Sequence, residues 1–364
     1  MKFWRRVAIA GALVFIAAIV AVVAELHPRL PDIDLAGSAQ DHPRAAARVA
    51  KVPPVGLRSP SALPGMLGSP LAPLPGVAPI TGTVAVGGMV RTYELFAPMN
   101  ATGKVPALVV LQGSRISLGI EESRDGLIQL AQAGKALVVY PVGYRESWNA
   151  GACCGPAHAA GVNDLSFVTG LVRAIGARPD VSTVFLVGYS NGGRMAFDAV
   201  CSTPRLVTSF VVVSAVPVVA CPPGAPVSLL EMVGTADPIL SYSDAAPHKV
   251  INGYTEPRVT DEVATWRRRN GCTAAVSTAK AGTLVLQTWA HCAGGSVVDL
   301  ATYEGGGHAW PAGAAGTPSG AEVVWRFLTN SKGGLPPVSS PGGTSPGRLG
   351  VPHKAIPAAT PLPS

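Results

Sequence analysis

The stretch Val181-Ser-Thr-Val-Phe-Leu-Val-Gly-Tyr-Ser-Asn-Gly-Gly-Arg-Met-Ala-Phe-Asp-Ala-Val-Cys201 constrains the fold more than any other part of the chain. Its first half is short, apolar and β-branched, the character of a buried strand. In its second half Arg194, Met195, Phe197 and Ala199 follow helical rather than alternating spacing. The joint between them is Gly188-Tyr189-Ser190-Asn191-Gly192, a G-x-S-x-G. Glycine on both sides of the serine removes the Cβ atoms that clash where a strand folds back into a helix, and the hydroxyl is left exposed at the turn. Ser190 then sits at a helix N-terminus, where free N–H groups and the helix dipole favour negative charge. A serine that merely caps an ordinary strand-to-helix connection has the same local sequence. Whether this hydroxyl is a nucleophile therefore depends on finding a base and an acid elsewhere in the chain.

Around this joint, residues 81–330 alternate in a way that fits an α/β fold. Thr83–Val86 and Met89–Ala97 form a leading hairpin across Gly87-Gly88, and Ala107–Leu111 is a fully apolar strand ending at Gln112-Gly113-Ser114. A helix near Gly126–Ala133, a strand Ala136–Tyr140 and a helix near Leu165–Ile175 lead into the joint. Strands Phe210–Ser214 and Val227–Val233, a helix over 258–269, strands near 284–290 and 297–303, and a closing helix Ala321–Leu328 follow it. Buried strands interleaved with helices predict a mainly parallel sheet covered on both faces, in a single globular domain.

The flanks differ in composition from this middle. Met1–Arg6 is a positive n-region and Val7–Ala24 an apolar run. Residues 1–26 thus read as an export segment, and both cleavage after Ala24 and retention as a membrane anchor through residues 7–24 fit. Residues 27–80 are a Pro-rich linker, and residues 331–364 a Pro/Gly/Ser-rich tail with the composition of disorder. The formal charge of +7 lies wholly in these flanks, because residues 81–330 hold 17 basic and 17 acidic side chains. A neutral core with no basic stripe beyond Arg267-Arg268-Arg269 excludes a nucleic-acid reading. Six cysteines in an exported chain read as disulfides. Cys201 with Cys221, and Cys272 with Cys292, each bracket one local excursion. Adjacent Cys153 and Cys154 are open between two thiols and a vicinal bridge. No Cys/His spacing suggests zinc, and no cofactor is implied.

A serine hydroxyl becomes a nucleophile only when a base takes its proton and a third group orients the base. Asp237, in Met232-Val-Gly-Thr-Ala-Asp-Pro238, directly follows an apolar strand and can serve as the acid; Asp244 is the runner-up, and a turn-opening aspartate before Pro238 is the bland alternative. His308, in Tyr303-Glu-Gly-Gly-Gly-His-Ala-Trp-Pro311, follows the last strand, and its three glycines let the loop approach the joint closely. The chain order serine, acid, histidine agrees with the order in α/β-hydrolases. The oxyanion formed on attack needs N–H donors: the backbone of Asn191, just after the nucleophile, and that of Ser114, after an early strand, are the candidates.

With these residues in place, the middle of the chain resembles the exported esterases of the α/β-hydrolase fold that include polyhydroxybutyrate depolymerases and feruloyl and acetylxylan esterases. The resemblance covers about 81–330. It rests on Glu146-Ser-Trp-Asn-Ala-Gly-Ala-Cys-Cys-Gly-Pro156, Gly161-Val-Asn-Asp-Leu-Ser-Phe167, Gly188–Ala196, Gly234-Thr-Ala-Asp-Pro238 and Gly306-Gly-His-Ala-Trp-Pro311. It implies Ser190 as nucleophile, Asp237 as acid and His308 as base, and it places Trp148, Asn149 and Trp310 around the active-site cleft as substrate contacts, or as loop-packing residues. One departure is Leu111-Gln112-Gly113, where the family usually shows Leu-His-Gly. The expected activity is metal-free hydrolysis of a small or oligomeric ester, with hydroxyalkanoate oligomers and aromatic or acetyl esters as substrate classes. A peptidase or acyltransferase on the same scaffold, and a catalytically silent envelope binding protein, are the competing readings.

Overall fold

The computed structural model describes residues 77–203, 205–243 and 246–329. The flanking segments read above as export segment, most of the linker and tail, and Asp244, lie outside the described residues. The leading hairpin is β1 (Ile80–Val86) and β2 (Met89–Phe96), and both turn glycines take positive φ, 55° at Gly87 and 78° at Gly88. A two-residue turn that matches the strand twist requires that pair of conformations. Val77 is buried ahead of this hairpin, so the core draws on residues before position 81.

Then follow β3 (Val105–Leu111), α1 (Leu118–Asp125), α2 (Ile128–Gln132), β4 (Leu137–Pro141), α3 (Gly155–Ala159), α4 (Asp164–Gly176), β5 (Val181–Tyr189) and α5 (Asn191–Ser202). The second half holds β6 (Ser209–Val213), β7 (Ser228–Gly234), the two-residue strands β8 (Val250–Ile251) and β9 (Tyr254–Thr255), α6 (Val259–Arg269), β10 (Ser277–Ala281), β11 (Leu284–Trp289), β12 (Val298–Tyr303) and α7 (Gly320–Thr329). Ten strands form one sheet in the order β1-β2-β4-β3-β5-β6-β7-β12-β11-β10. The six from β4 to β12 run parallel, and an antiparallel hairpin closes each edge.

Each central strand is buried on both faces, which is why it reads as an unbroken apolar run. Val109, Leu186 and Phe210 pack with Phe197 of α5 and Trp266 of α6, whereas Leu108, Val187 and Leu230 pack with Val324 and Phe327 of α7. A parallel sheet between two helical layers is the α/β-hydrolase fold that the resemblance implies. Several elements were not anticipated, among them α3 and the β8–β9 pair. The helix expected near Gly126–Ala133 is the short α2, and an unanticipated α1 precedes it, ended by Gly126 in a left-handed conformation (φ 71°, ψ 8°). β10, made of small and polar residues, is an edge strand that no apolar alternation signals. Disulfides join Cys201 to Cys221 and Cys272 to Cys292 as the spacing suggests, and Cys153 to Cys154 across a cis peptide.

Candidate active site

Four loops converge at the C-terminal edge of the parallel sheet, those after β3, β5, β7 and β12. Open parallel sheets bind ligands at this edge. The loop after β5 is the tightest. Ser190 takes φ 51° and ψ −117°, a conformation rare for a residue with a side chain, and its N–H donates to the Val213 carbonyl at 2.8 Å. A Cβ on Gly188 would collide with the Gly192 carbonyl, and one on Gly192 with the carbonyls of Leu111 and Gln112. Both glycines of the motif are thus required by close backbone approach, and the second also presses the end of β3 against the first turn of α5.

The side chains expected to act together meet. His308 Nε2 lies 2.9 Å from Ser190 Oγ, and His308 Nδ1 lies 2.8 Å from Asp237 Oδ2. The serine O–H donates to Nε2 when the Nδ1–H donates to Asp237, the tautomer this geometry favours. The second carboxylate oxygen, Oδ1, accepts from the amides of Ile239 at 2.7 Å and Leu240 at 3.1 Å. Burial works against the Asp237 charge, but the hydrogen bond and charge of His308, with those two amides, outweigh it and hold the carboxyl below its ordinary range. The acid and histidine loops are knitted together through their backbones: Ala236 N–H donates to the Gly306 carbonyl at 2.8 Å, and Gly305 N–H to Thr235 Oγ1 at 2.8 Å. A Cβ on Gly234 would strike Gly306. Tyr189 at the end of β5 donates its hydroxyl to the His308 carbonyl at 3.0 Å, which ties the histidine loop to the elbow.

Asn191 opens α5, and Ser114 lies half-buried in the turn after β3 that the Gly192 contact brings alongside. The two expected oxyanion donors therefore occupy neighbouring backbone segments. The Asn191 side chain does separate work: Oδ1 accepts from the Trp148 amide at 2.7 Å and Nδ2 donates to the Trp148 carbonyl at 3.0 Å.

The expectation that Trp148, Asn149 and Trp310 contact substrate is corrected by their surroundings. Trp148 has no exposed surface, stacks on Phe167 at 6.4 Å between ring centres, and donates its indole N–H to the Gln112 carbonyl at 3.0 Å. Trp310 is 4% exposed and packs at the start of α7 beside Gly320. Asn149 spends its side chain on structure: Nδ2 donates to the Val162 carbonyl and Oδ1 meets His158 Nδ1, both at 2.9 Å. All three hold loops onto the core.

Sequence reasoning missed other residues around the site. Glu121 of α1 is wholly buried and accepts from the Gly113 amide at 3.4 Å and from Arg124 at 2.9 Å. Arg124 lies over the Tyr189 ring, 4.3 Å from its centre. Arg194, one turn along α5 from Ser190, donates to Cys153 Sγ at 2.9 Å and Cys154 Sγ at 3.2 Å, and pairs with Glu256. Among the described residues, no three His, Cys, Asp or Glu side chains converge to hold a metal.

No protein-family model matches the sequence. The chain is 29% identical over 253 residues to "Putative esterase NocK" of Nocardia uniformis subsp. tsuyamanensis, covering 63% of this chain and 73% of that protein. It is 27% identical over 174 residues to Feruloyl esterase B of Piromyces equi, covering 45% of this chain and 31% of that protein. Among solved structures, acetyl xylan esterase from Aspergillus awamori aligns over 63% of this chain and 94% of its own, with a TM-score of 0.45 and 13% identity.

Proposed function

We propose that this α/β-hydrolase is an exported serine carboxylesterase. The observation that carries the reading is the unbroken hydrogen-bonded row Ser190–His308–Asp237 at the C-terminal edge of the sheet. The likeness to a protein named as an esterase and to a feruloyl esterase supports it.

In this mechanism His308 Nε2 takes the proton of Ser190 Oγ as the oxygen adds to the ester carbonyl. Asp237 holds the ring in the tautomer that leaves Nε2 free to accept and stabilises the imidazolium once it forms. The backbone N–H groups of Asn191 and Ser114 receive the negative oxygen. His308 then returns the proton to the departing alcohol, leaving an acyl-Ser190. Water, deprotonated by His308, adds to the acyl carbon, and collapse releases the acid and restores the serine. Three disulfides favour an oxidising compartment, which agrees with the export segment read from residues 1–26. Acetyl, aromatic acyl and hydroxyalkanoate esters are the proposed substrate classes.

The test is hydrolysis of p-nitrophenyl esters of graded chain length beside matched peptide anilides. Esters are expected to turn over with a burst of p-nitrophenol, mass spectrometry to find the acyl group on Ser190, and Ser190→Ala to lose nearly all turnover. Turnover that survives in Ser190→Ala, or preferential cleavage of the anilides, overturns the reading.

A further inference from the structure

A cavity of about 620 Å³, with none of Ser190, Asp237 and His308 in its lining, lies between the segment that follows β6, the short β8–β9 strap and α6. Its volume lies in the range that holds small organic ligands. Pro217, Val219 and Pro257 give it apolar wall, with Trp266 beneath. Its polar groups are less well provided for. Glu262 is 5% exposed and lines the cavity, with the charges of Arg269 and Arg268 rather than a hydrogen-bond donor acting on its carboxyl. Behind it Glu231, fully buried on β7, has neither carboxylate oxygen in a well-formed hydrogen bond. Holding a carboxyl largely out of water is costly, and the part of Glu262 that borders the cavity is open to a donor from outside the chain.

The charges around the cavity select what that donor is. Arg268 and Arg269 line the same space and Arg194 pairs with Glu256 from behind, so an organic cation meets two guanidinium groups and a carboxylate already neutralised by a third. An anion meets Glu256 and Glu262. A neutral hydroxyl group suits both kinds of neighbour, since it donates to a carboxylate and accepts from a guanidinium. We propose that this cavity binds a small neutral polyhydroxylated ligand of mono- or disaccharide size, its hydroxyl edge on Glu262 and Arg268 and its C–H face on the wall of Pro217, Val219 and Pro257. Burial pushes the Glu262 carboxyl up to about 7, with Arg269 and Arg268 pulling the other way, so near neutral pH it can offer a hydroxyl either an acceptor or a donor.

Titration calorimetry and ligand-observed NMR on the purified full chain test this, with glucose, cellobiose and maltose as neutral probes and tetramethylammonium and inorganic phosphate as charged ones. At least one saccharide is expected to bind saturably, and Glu262→Leu to weaken that binding about tenfold or more, the worth of one hydrogen bond to a charged group. Glu262→Gln, which keeps the size and an acceptor oxygen, is expected to lose less. Leucine removes a buried carboxyl, so the melting temperature of Glu262→Leu is expected to hold or rise, which separates lost binding from lost fold. Binding does not depend on turnover, so Ser190→Ala is expected to bind as the wild type does, whatever becomes of the esterase reading. No saturable saccharide binding, saturable binding undiminished in Glu262→Leu, or binding of the ammonium or phosphate probe in preference to the sugars overturns the proposal.

Discussion

Replacing Asn191 by alanine separates the two tasks assigned to this residue. Its side chain clasps Trp148 by an accepted bond of 2.7 Å and a donated one of 3.0 Å, at a position 2% exposed. Alanine leaves the Trp148 N–H buried with no acceptor. The Trp148 carbonyl keeps only the Cys154 amide at 3.3 Å. An orphaned buried donor costs about 1–3 kcal/mol and the lost bond to the carbonyl about 1 more, so a total of about 2–4 kcal/mol is expected. For a domain of this size that lowers the melting temperature by roughly 6–12 °C. The main-chain N–H at position 191 survives the substitution, so the proposed oxyanion donor remains and kcat measured well below the transition is expected to fall less than tenfold. Asn191→Asp keeps the acceptor for the Trp148 amide but sets a carboxylate against a carbonyl, and it is expected to be at least as unstable. The assays are thermal unfolding followed by circular dichroism and initial rates on p-nitrophenyl acetate at low temperature. A variant as stable as the wild type to within about 0.5 kcal/mol but with a raised KM refutes the reasoning, because it places the side chain on the substrate instead of on Trp148.

Two further changes probe the acidic groups. Asp237→Asn removes the charge that orients and supports His308, and a fall in kcat of about 10³–10⁴ with little change in KM is expected by analogy with other serine triads. Because the folded carboxyl titrates below its ordinary range, the stability it contributes is present above the unfolded pKa and is lost as pH falls through the lower folded value. Wild type and variant are therefore expected to differ in urea unfolding at pH 5 and to converge in strong acid. Asp299 behaves in the opposite sense: burial pushes it up to about 7 against the pull of Thr288, so the fold loses stability as pH climbs from the unfolded value near 4 to about 7. Asp299→Asn is expected to flatten that decline and to gain up to about 4 kcal/mol at pH 8 relative to pH 4, and an unchanged slope in urea titrations refutes it.

The fold was legible wherever burial on both faces wrote a plain apolar run, as in Ala107–Leu111 or Phe210–Val213. It was illegible where burial and polarity disagree. In α1 the buried residues are Glu121 and Asp125, so the apolar period that marks an ordinary surface helix is absent. Asp125 is tolerated because Tyr140, fifteen residues on, donates to it at 2.8 Å and the Leu127 amide at 2.8 Å. That compensation is a fact of three dimensions, with no local signature. The edge strand β10 has the reverse problem, since an exposed strand of small residues needs no pattern at all.

Within the site, the three side chains that meet, Ser190, His308 and Asp237, could be singled out because each follows a strand, and the sheet brings strand ends together. The residues that brace them could not, since each bridges long stretches of chain: Tyr189 to the His308 carbonyl across 119 residues, Asn191 to Trp148 across 43, and Trp148 to the Gln112 carbonyl across 36. The resemblance placed Trp148 around the cleft and left substrate contact and loop packing both open, because core partners this remote carry no local signature that decides between them. The same contacts account for Gln112, where histidine is usual in the resembling family. Its side chain is wholly buried, with Oε1 3.5 Å from the Gly143 amide, and its carbonyl accepts from the Trp148 indole. The loop after β3 is thus fixed by the main chain at 112, by Glu121 on the Gly113 amide and by the Gly192 contact, none of which depends on which side chain stands at 112. The proposed backbone oxyanion site, secured in that way, is expected to tolerate the exchange of histidine for glutamine, because its N–H groups are aimed by neighbours that the exchange leaves in place.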